Sequence, residues 1–286
     1  MSAPCAALLG DTGRELLHPV APYPEPVAIE VVAHRGANDE EPEHSLAAYL
    51  KAVEEGADAI ECDVRLTADG TPVCVHDRRI DRTSTGRGSV STMTLAELVR
   101  HDFSRGHELW HDFESPALDE TRTRMLTLER LLTTLMDAST TVKFAIETKH
   151  PVRFGHYVEA EVAALVTRLG LADAGGGVPR ARIMSFSRMA VRRSQRLLPG
   201  APTVFLMDPV PPWHRDGSLP KGVAIAGPSI ETLRRHPHYV ERVHARGHRV
   251  HVWTVDDMKD VDLCVELGVD AIISNRPGAV LRHLGR

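Results

Sequence analysis

The chain has 286 residues, of which 42% are hydrophobic and 26% are charged, and this is the composition of an ordinary soluble globular protein. The formal net charge is −5, with acids and bases interspersed. This argues against a nucleic-acid partner, because surfaces that bind nucleic acids are usually basic. The charge does not exclude a small phosphate ester held by a local cluster of cations. A chain of this length commonly folds as one α/β barrel.

Residues 1–26 are expected to form an N-terminal extension. The segment has no basic region and only a very short apolar run, so it does not match a secretory signal. Four prolines between residues 19 and 26 predict an extended arm leading into a domain that spans residues 27–286. No window of the chain approaches the roughly 18 apolar residues of a membrane span, so stable membrane insertion is not expected.

The cysteines indicate a reducing environment. The four of them (Cys5, Cys62, Cys74 and Cys264) lack CxxC spacing. Three lie in apolar strand or helix patterns, where a buried free thiol is the expected state. The sequence therefore shows no disulfide framework and favours a cytoplasmic location. The oligomeric state is not indicated by any feature of the sequence.

Strand and helix signals alternate along the chain. Apolar runs predict strands at residues 28–34, 58–63, 142–147, 182–186, 202–206, 222–226, 249–253 and 270–274. Helical spacing predicts a helix between an N-cap at Ser45 and Gly56. Further helices are predicted at 127–138, 157–169, 188–198, 238–246 and 257–267, the last with Asp256 as its cap. Such alternation implies parallel strands joined by crossovers.

A ninth strand signal, at residues 72–76, is expected to be an arm outside the parallel set. Asp69 and Gly70 form a hairpin turn signal, so this segment must run antiparallel to strand 58–63. Eight parallel strands remain, which predicts a TIM (β/α)8 barrel with an extra hairpin after strand 2. The alternative is an open doubly wound sheet, but no glycine-rich turn follows the first strand to favour a dinucleotide site.

Residues 78–125 are expected to form an insertion, either a small subdomain or a long loop. They are rich in Arg, Ser, Thr, Gly and His, with a capping-box signal from Thr94 to Glu97. Loops of this length in compact domains are often functional. Histidines occur here at positions 101, 107 and 111, but their spacing does not match a zinc site and we expect them to be loop residues.

Two carboxylates share one face of the second strand. Glu61 and Asp63 stand at positions i and i+2, and alternate residues of a strand point the same way. Adjacent like charges raise each other's pKa unless a cation lies between them, and a divalent metal is the simplest such cation. The plain alternative is a half-exposed strand with a solvated acidic edge.

Further polar residues stand at the carboxyl ends of other strands, where TIM barrels place their active sites. Together with the return arm of the hairpin, these ends carry His34, Arg35, Glu61, Asp63, His76, Glu147, Lys149 and Trp253. Three carboxylates without a cysteine suit a hard cation such as Mg²⁺ or Ca²⁺. The arginine and lysine offer charge for a phosphate, and the histidines suit base and acid roles. Trp253 is expected to contact substrate.

These residues fall in motifs that resemble the glycerophosphodiester phosphodiesterase family. The motifs are AHRG at 33–36, PEHSLAAY at 42–49, GADAIECDVRLTADGTPVCVHD at 56–77, DRTSTGRG at 81–88 and ETK at 147–149. WTV at 253–255 and SNRP at 274–277 resemble the late-strand motifs of the family. The combination covers most of the chain and is highly specific, whereas a single short motif such as HRG would be weak.

The resemblance implies an activity and a role for each matching residue. The implied reaction is metal-dependent hydrolysis of a glycerophosphodiester to sn-glycerol 3-phosphate and an alcohol, a step in glycerol and lipid metabolism. The implied catalytic residues are His34, His76 and Arg35, and the implied phosphate contacts are Arg35 and Lys149. The implied ligands of the divalent metal ion are three carboxylates, Glu61, Asp63 and Glu147.

The chain departs from the family pattern at one motif. Where the family usually has Pro-Glu-Asn-Thr, this chain has Pro42-Glu43-His44-Ser45, after an acidic loop at 38–41. Ser45 can still cap the helix, so the fold should not change. We expect His44 to alter the rim of the site, and either His44 or the acidic loop to change the preference for the alcohol group.

Two other functions remain open from the sequence. A related phosphodiesterase on the same barrel would act on lysophospholipids or phosphoinositols, and the Pro- and Trp-containing loop 207–220 could serve such a lipid substrate. A catalytically silent binding barrel is the second alternative. The presence of every charged motif residue argues against it.

Overall fold

The computed structural model describes residues 28–105, 119–153, 155–172 and 178–286. The predicted extension at residues 1–26, which includes Cys5, lies outside these ranges, as do His107 and His111 of the insertion. The domain limits 27–286 and the limits of the insertion therefore stay predictions.

Eight parallel strands close into a barrel. The strands of the sheet are β1 (Glu30–His34), β2 (Ala59–Leu66), β3 (Pro72–Cys74), β4 (Lys143–Thr148), β5 (Ala181–Ser185), β6 (Thr203–Met207), β7 (Ile225–Pro228), β8 (Arg249–Val252) and β9 (Ala271–Ser274). Strand β1 pairs with both β9 and β2, which closes the ring. Strand β3 runs antiparallel to β2, with Val64 opposite Cys74. The predicted TIM barrel with an extra hairpin is confirmed, and the open-sheet alternative is wrong.

Helices cover the outside of the barrel. They are α1 (Leu46–Glu54), α2 (Leu95–Leu98), α3 (Glu120–Thr123), α4 (Leu128–Ala138), α5 (Tyr157–Arg168), α6 (Arg188–Leu197), α7 (Ile230–Arg235), α8 (Tyr239–His244), α9 (Met258–Leu267) and α10 (Pro277–His283). Short 3-10 helices lie at Val90–Thr92 and Pro212–His214. Ser45 caps α1 as predicted. The predicted cap of α9 is wrong by one residue, because Asp257 accepts from the Lys259 N–H.

The barrel has an inner and an outer apolar layer. The interior is filled by small and medium side chains from successive strands, such as Val32, Ala59, Ala145, Met184 and Val204. The outer layer lies between the strands and the helices, where α4 buries one leucine face against β2 and β4. The closed packing makes a rigid frame, so that residues at the strand ends are held at fixed separations.

Part of the insertion packs on the extra strand. Ile80, Val90, Leu98 and Met125 form a small buried cluster with Val73 of β3. The capping box predicted at the start of α2 is present, with the Thr94 side chain accepting from the Glu97 N–H. The ring of His101 lies against Gly86, where an added Cβ would come within 2.6 Å of it. His101 is therefore a packing residue of the insertion.

The described cysteines are free and buried. Cys62, Cys74 and Cys264 carry no disulfide, as the sequence predicted. Burial raises the pKa of Cys264 to about 12, so this thiol is chemically quiet. Within the described ranges, none of the helices has the length and apolar character needed to cross a lipid bilayer.

Candidate active site

Three buried carboxylates meet at the carboxyl end of the barrel. Asp63 on β2 lies beside Glu147 on β4 in the strand register, and Glu61 stands two residues before Asp63. One oxygen from each of the three residues lies within 4.8 Å of the other two. Glu61, Asp63 and Glu147 are at most 7% exposed. The half-exposed acidic edge considered from the sequence is therefore excluded.

Burial and mutual repulsion make this group electrostatically unfavourable without a cation. Burial and the charge of Asp63 raise the pKa of Glu61 well above its usual value. The same two causes raise the pKa of Glu147 to about 8. Hard oxygen ligands held this close are the donor set that Mg²⁺ and Ca²⁺ prefer. The three carboxylates can therefore hold a metal ion.

Cations surround Asp63, the central carboxylate of the three. Arg35 Nε lies 3.0 Å from one oxygen and Lys149 Nζ lies 3.1 Å from the other. Lys149 also contacts Glu147 at 2.9 Å. Burial raises the pKa of Asp63, but the hydrogen bond from His44 and the nearby cations outweigh it, so the pKa is well below its usual value. Both predicted phosphate-binding cations thus lie directly at the carboxylate cluster.

The turn after β1 places Arg35 over this cluster. Arg35 has a φ of 57°, a conformation uncommon for a residue with a Cβ. Its backbone N–H donates to a Glu61 carboxylate oxygen at 3.1 Å. Gly36 follows with a φ of 87°, and a Cβ there would lie 2.6 Å from Ala48 in α1. The HRG motif is therefore a tight turn that only glycine at position 36 permits.

His34, at the end of β1, is oriented by a polar network from β9. Its Nδ1 lies 2.6 Å from Asn275 Oδ1. The Asn275 amide nitrogen donates to Asp256 at 2.6 Å, so its oxygen must be the acceptor for His34. His34 Nδ1 therefore carries the proton, which leaves Nε2 as the basic atom. Burial, aided by the charge of Arg35, lowers the pKa of His34 to about 3.

His76, delivered by the hairpin, is held by a second network. Its Nδ1 lies 2.8 Å from an Asp77 carboxylate oxygen, which can only accept, so Nε2 is again the basic atom. Asp77 in turn accepts from Arg82 at 2.6 Å, and Arg65 donates to the backbone oxygen of His76 at 2.9 Å. Burial lowers the pKa of His76, although the Asp63 charge acts in the opposite direction.

Glu43 links the two halves of the site. It contacts Arg35 at 3.3 Å and accepts two hydrogen bonds from Arg82 at 2.7 and 2.8 Å. Burial alone would raise the pKa of Glu43, but these arginines lower it to about 2. A continuous chain of charged contacts thus runs from His76 through Glu43 to the carboxylate cluster.

His44 lies below the rim and not on it. The side chain is buried, with Nε2 3.0 Å from Asp63 and Nδ1 2.8 Å from the Tyr49 hydroxyl. The expectation that His44 alters the rim itself is therefore wrong, because this buried residue contacts the site from below, with its ring on Asp63 and its backbone N–H donating to the Arg35 carbonyl at 3.1 Å. The φ of His44 is 60°, which the side-chain contacts on both ring nitrogens help to hold.

Trp253 forms an apolar wall next to β5. Its indole N–H donates to the Gly227 carbonyl at 2.8 Å. Its ring meets Phe186 edge to face with 5.3 Å between centroids, and Phe186 is 45% exposed. The predicted substrate contact thus has a fixed orientation at the carboxyl end of β8.

The sequence assigned no role in the site to Asn275, Asp256, Arg82 or Glu43. All four stand in or next to the motifs that carried the family resemblance, namely SNRP, WTV, DRTSTGRG and PEHSLAAY. A polar residue directly after the last strand was the available signal for Asn275. None was available for its pairing with His34, because 241 residues separate the two.

Groups that can hold a cation, exchange protons and neutralise an anion meet at the end of the barrel where such enzymes work. A barrel hydrolase of phosphate esters is the class of protein that this fold and site define.

Comparisons with known proteins narrow that class. The model of the Glycerophosphoryl diester phosphodiesterase family matches residues 34–279. A Mycobacterium tuberculosis relative named "Probable glycerophosphodiester phosphodiesterase 1" is 47% identical over 249 residues, which cover 87% of this chain and 89% of the relative. The chain therefore belongs to the glycerophosphoryl diester phosphodiesterase family and is an enzyme that cleaves glycerophosphodiesters.

Solved structures show the same architecture. A putative glycerophosphoryl diester phosphodiesterase from Silicibacter pomeroyi is 25% identical, with a TM-score of 0.76 over 91% of this chain and 94% of that one. An Oleispira antarctica phosphodiesterase, solved in complex with the product sn-glycerol-3-phosphate, is 22% identical. Its TM-score is 0.74 over 90% of this chain and 97% of that one, so it shares the fold.

Proposed function

We propose that this enzyme hydrolyses glycerophosphodiesters to sn-glycerol 3-phosphate and an alcohol, in a metal-dependent reaction with His34 and His76 as acid and base. The main support for this proposal is that both histidines have a fixed Nδ1–H and a basic Nε2, and that both lie at the mouth of the barrel beside the carboxylate cluster. The product complex of the Oleispira relative agrees with the proposed product.

The proposed metal ligands are Glu61, Asp63 and Glu147, and their chemistry fits a hard divalent cation, Mg²⁺ or Ca²⁺. The fit rests on the raised pKa values of Glu61 and Glu147, which show that the group lacks positive charge even beside Lys149. A bound divalent ion would supply Lewis-acid stabilisation of the negative charge that develops on the phosphate.

Arg35 and Lys149 are the proposed phosphate contacts. The Arg35 side chain is 15% exposed and the Lys149 side chain is 10% exposed, so each has a small accessible part. An arginine can grip two phosphate oxygens at once, whereas a lysine acts as a point charge. Trp253 is the proposed wall against which the rest of the substrate packs.

The proposed first step is attack of the glycerol 2-hydroxyl oxygen on phosphorus. One histidine takes the hydroxyl proton at Nε2 while the new P–O bond forms. The bond from phosphorus to the departing alcohol breaks, and the other histidine, which enters this step as an imidazolium protonated on both ring nitrogens, donates its Nε2 proton to that oxygen. Water then opens the cyclic phosphate with the two proton transfers reversed, which restores both histidines and leaves sn-glycerol 3-phosphate.

A panel assay tests the proposal. Release of sn-glycerol 3-phosphate is measured from glycerophosphocholine, glycerophosphoethanolamine and glycerophosphoglycerol, after chelation with EDTA and after adding back Mg²⁺ or Ca²⁺. We expect release with at least one ion and loss of release in EDTA. Full activity in EDTA would refute the metal requirement, and no release under any condition would refute the reaction.

Exposed apolar residues near the mouth favour a second substrate class. Trp213 is 71% exposed and Phe186 is 45% exposed, and they lie in the segments that follow β6 and β5. A single-chain lipid could pack on such side chains, so the panel includes lysophosphatidylcholine. Faster turnover of this lipid than of glycerophosphocholine would reassign the substrate class and keep the residue roles.

We also propose a cytoplasmic location. Cys62 and Cys74 lie on paired strands and remain unlinked thiols, which is the state that a reducing compartment maintains. Fractionation of cells and detection of the enzyme in the soluble cytoplasmic fraction is the expected result. Recovery in an extracytoplasmic fraction would contradict it.

A further inference from the structure

A second charged cavity lies at the opposite end of the barrel. Its volume is about 310 Å³ and its lining includes residues in the N-terminal halves or middles of several strands, among them Glu30, Lys143, Arg182, Arg249 and His251. Strand β1 runs from Glu30 here to His34 at the active site, a distance of roughly 13 Å at 3.3 Å per residue. The apolar interior that contains Val32 lies between the two ends.

Cations outnumber carboxylates in the lining. Five are always charged at neutral pH, namely Lys143, Arg180, Arg182, Arg249 and Arg286. Three carboxylates face them, namely Glu30, Asp58 and Asp270. Burial lowers the pKa of His251 to about 3, so its ring is neutral. Charged side-chain cations in the lining therefore exceed side-chain carboxylates by two.

Arg182 has hydrogen-bonding capacity that the described protein does not use. The residue is 6% exposed, and its Nη1 lies 2.5 Å from Glu30. Its Nε and Nη2 have no hydrogen-bond partner among the described residues. A buried donor without a partner costs free energy, and the guanidinium edge formed by Nε and Nη2 matches two oxygens of one anion.

His251 provides a second unused group in the same cavity. It is 4% exposed, and its Nδ1 has no hydrogen-bond partner among the described residues. Glu30 is already engaged by both Arg182 and Lys143, the latter at 3.1 Å. In this arrangement Glu30 Oε1, Arg182 Nε and Nη2 and His251 Nδ1 all stay without a hydrogen-bond partner among the described residues, so an additional oxyanion would serve the Arg182 and His251 groups.

We propose that this cavity binds a small phosphate dianion, with the Nε and Nη2 edge of Arg182 as its main contact and His251 Nδ1–H as a second donor. A dianion matches the excess of two cations over carboxylates in the lining. Inorganic phosphate and the phosphate group of a small monoester offer the same oxygens. The site is separate from the mouth of the barrel and does not depend on the reaction proposed there.

Calorimetric titration of the enzyme with inorganic phosphate tests the proposal. We expect the wild-type enzyme to bind at two sites, one at each end of the barrel. Arg182→Lys keeps the charge beside Glu30 but loses the paired donors, so it should weaken one site by about tenfold or more and leave the other unchanged. Arg246→Lys is the matched control, since Arg246 pairs with Asp216 outside the cavity, and it should bind like the wild type.

A second variant and a crystal structure separate loss of the phosphate site from a failure of the variant to fold. His251→Ala should weaken the same site, and it replaces Arg182→Lys if that variant fails to fold. A crystal grown with phosphate should show tetrahedral density beside Arg182. Unchanged binding in the folded variant, or only water beside Arg182, would refute the site. Titration with sn-glycerol 3-phosphate identifies the source, because tighter binding than inorganic phosphate at this site means a monoester.

Discussion

In each of the two histidines a hydrogen bond fixes the proton on Nδ1, but the acceptor differs. A neutral amide, Asn275, fixes the Nδ1 proton of His34, whereas a carboxylate, Asp77, fixes that of His76. A carboxylate stabilises an imidazolium more than an amide does. Burial nevertheless lowers the pKa of both rings, so each favours the neutral form with a free Nε2, and the proposed acid must take up a proton before it can donate one.

Removing either histidine should abolish most of the turnover. His34→Ala and His76→Ala each remove a proposed proton-transfer group, and such a group contributes about 10²- to 10⁴-fold to a rate. We expect kcat to fall by that amount with an unchanged circular dichroism spectrum. His238→Ala is the control, since that side chain is 80% exposed at the N-terminus of α8. Turnover within about twofold of the wild type in either variant would contradict the assigned roles.

Asn275 is a positioning residue, and its variant separates orientation from binding. Asn275→Leu keeps the size of the side chain but removes the acceptor that fixes the His34 proton on Nδ1. We expect kcat to fall by about tenfold or more, because the wrong tautomer cannot accept at Nε2, while KM stays close to the wild type. A rise in KM without a change in kcat would show that Asn275 contacts substrate instead.

Sequence reasoning found the residues that strand geometry alone can place. Glu61 and Asp63 follow from alternation on one strand, and His34 and Glu147 follow from their positions at strand ends. The cluster formed by the three carboxylates Glu61, Asp63 and Glu147 was predictable for that reason. The partners that orient each histidine were not, because side-chain pairing across the ring depends on the closed barrel and not on local periodicity.

At the scale of elements, the long helices, most strands and the short helices α2 and α8 were predictable, whereas the short helices α7 and α10 were not. Helices α4, α5 and α6 have apolar spacing over about three turns. Helices α7 and α10 have six and seven residues, too few for a periodic signal. Strand β7 begins at Ile225, three residues after the predicted start at 222, because the preceding segment is a turn with Gly222 at a φ of 80°.

A buried ion cluster joins α5 and α6 just outside the active site. Glu159 on α5 is 1% exposed. It accepts from His150 at 2.5 Å and from Arg193 on α6 at 3.1 Å. His150 directly follows Lys149, so this cluster ties the end of β4 to two helices.

Removing the charge of Glu159 should destabilise the fold. Glu159→Gln leaves Arg193 partly buried without its carboxylate, and we expect the free energy of unfolding at pH 7 to fall by about 2 kcal/mol. Urea denaturation followed by circular dichroism measures it. Glu129→Gln, at an exposed pair with Arg168, is the control and should change stability by less than about 0.5 kcal/mol.

The effect of Glu159 should depend on pH in a defined direction. Burial raises its pKa, but the hydrogen bonds from His150 and Arg193 outweigh burial and lower it. A carboxyl with a lowered folded-state pKa stabilises the protein above its unfolded pKa, and this contribution is lost as the pH falls through the folded pKa. The wild type and Glu159→Gln should therefore converge in stability below about pH 4. An equal difference at pH 7 and pH 3.5 would contradict the charge-based explanation.

At the scale of the whole molecule, the barrel separates two charged ends by an apolar interior. The number and order of the strands were predictable because a TIM barrel has eight parallel strands, and the hairpin turn showed that the ninth strand signal is antiparallel to them. The charged cavity at the N-terminal end of the barrel was not predictable, because Glu30, Arg182 and His251 come from strands that are far apart in sequence. Each resembles an isolated polar residue in an apolar run until the ring closes.

The carboxylate cluster at the mouth is expected to lower the stability of the metal-free protein. Three buried carboxylates repel one another, and Glu61 has no cation in direct contact among the described residues. Glu61→Gln removes one charge and keeps an acceptor for the Arg35 N–H. In EDTA, we therefore expect this variant to unfold about 2–4 °C above the wild type, which corresponds to about 1 kcal/mol for a chain of this size.

A divalent metal should reverse that order. An ion bound only by the folded state stabilises it by mass action, about 2.7 kcal/mol at a concentration one hundred times the Kd. Mg²⁺ or Ca²⁺ should therefore raise the Tm of the wild type by about 5–10 °C and that of Glu61→Gln far less. Glu231→Gln, on exposed α7, should respond like the wild type. Equal shifts in wild type and Glu61→Gln would place the metal elsewhere, because a site built on Glu61 cannot lose this ligand without losing affinity.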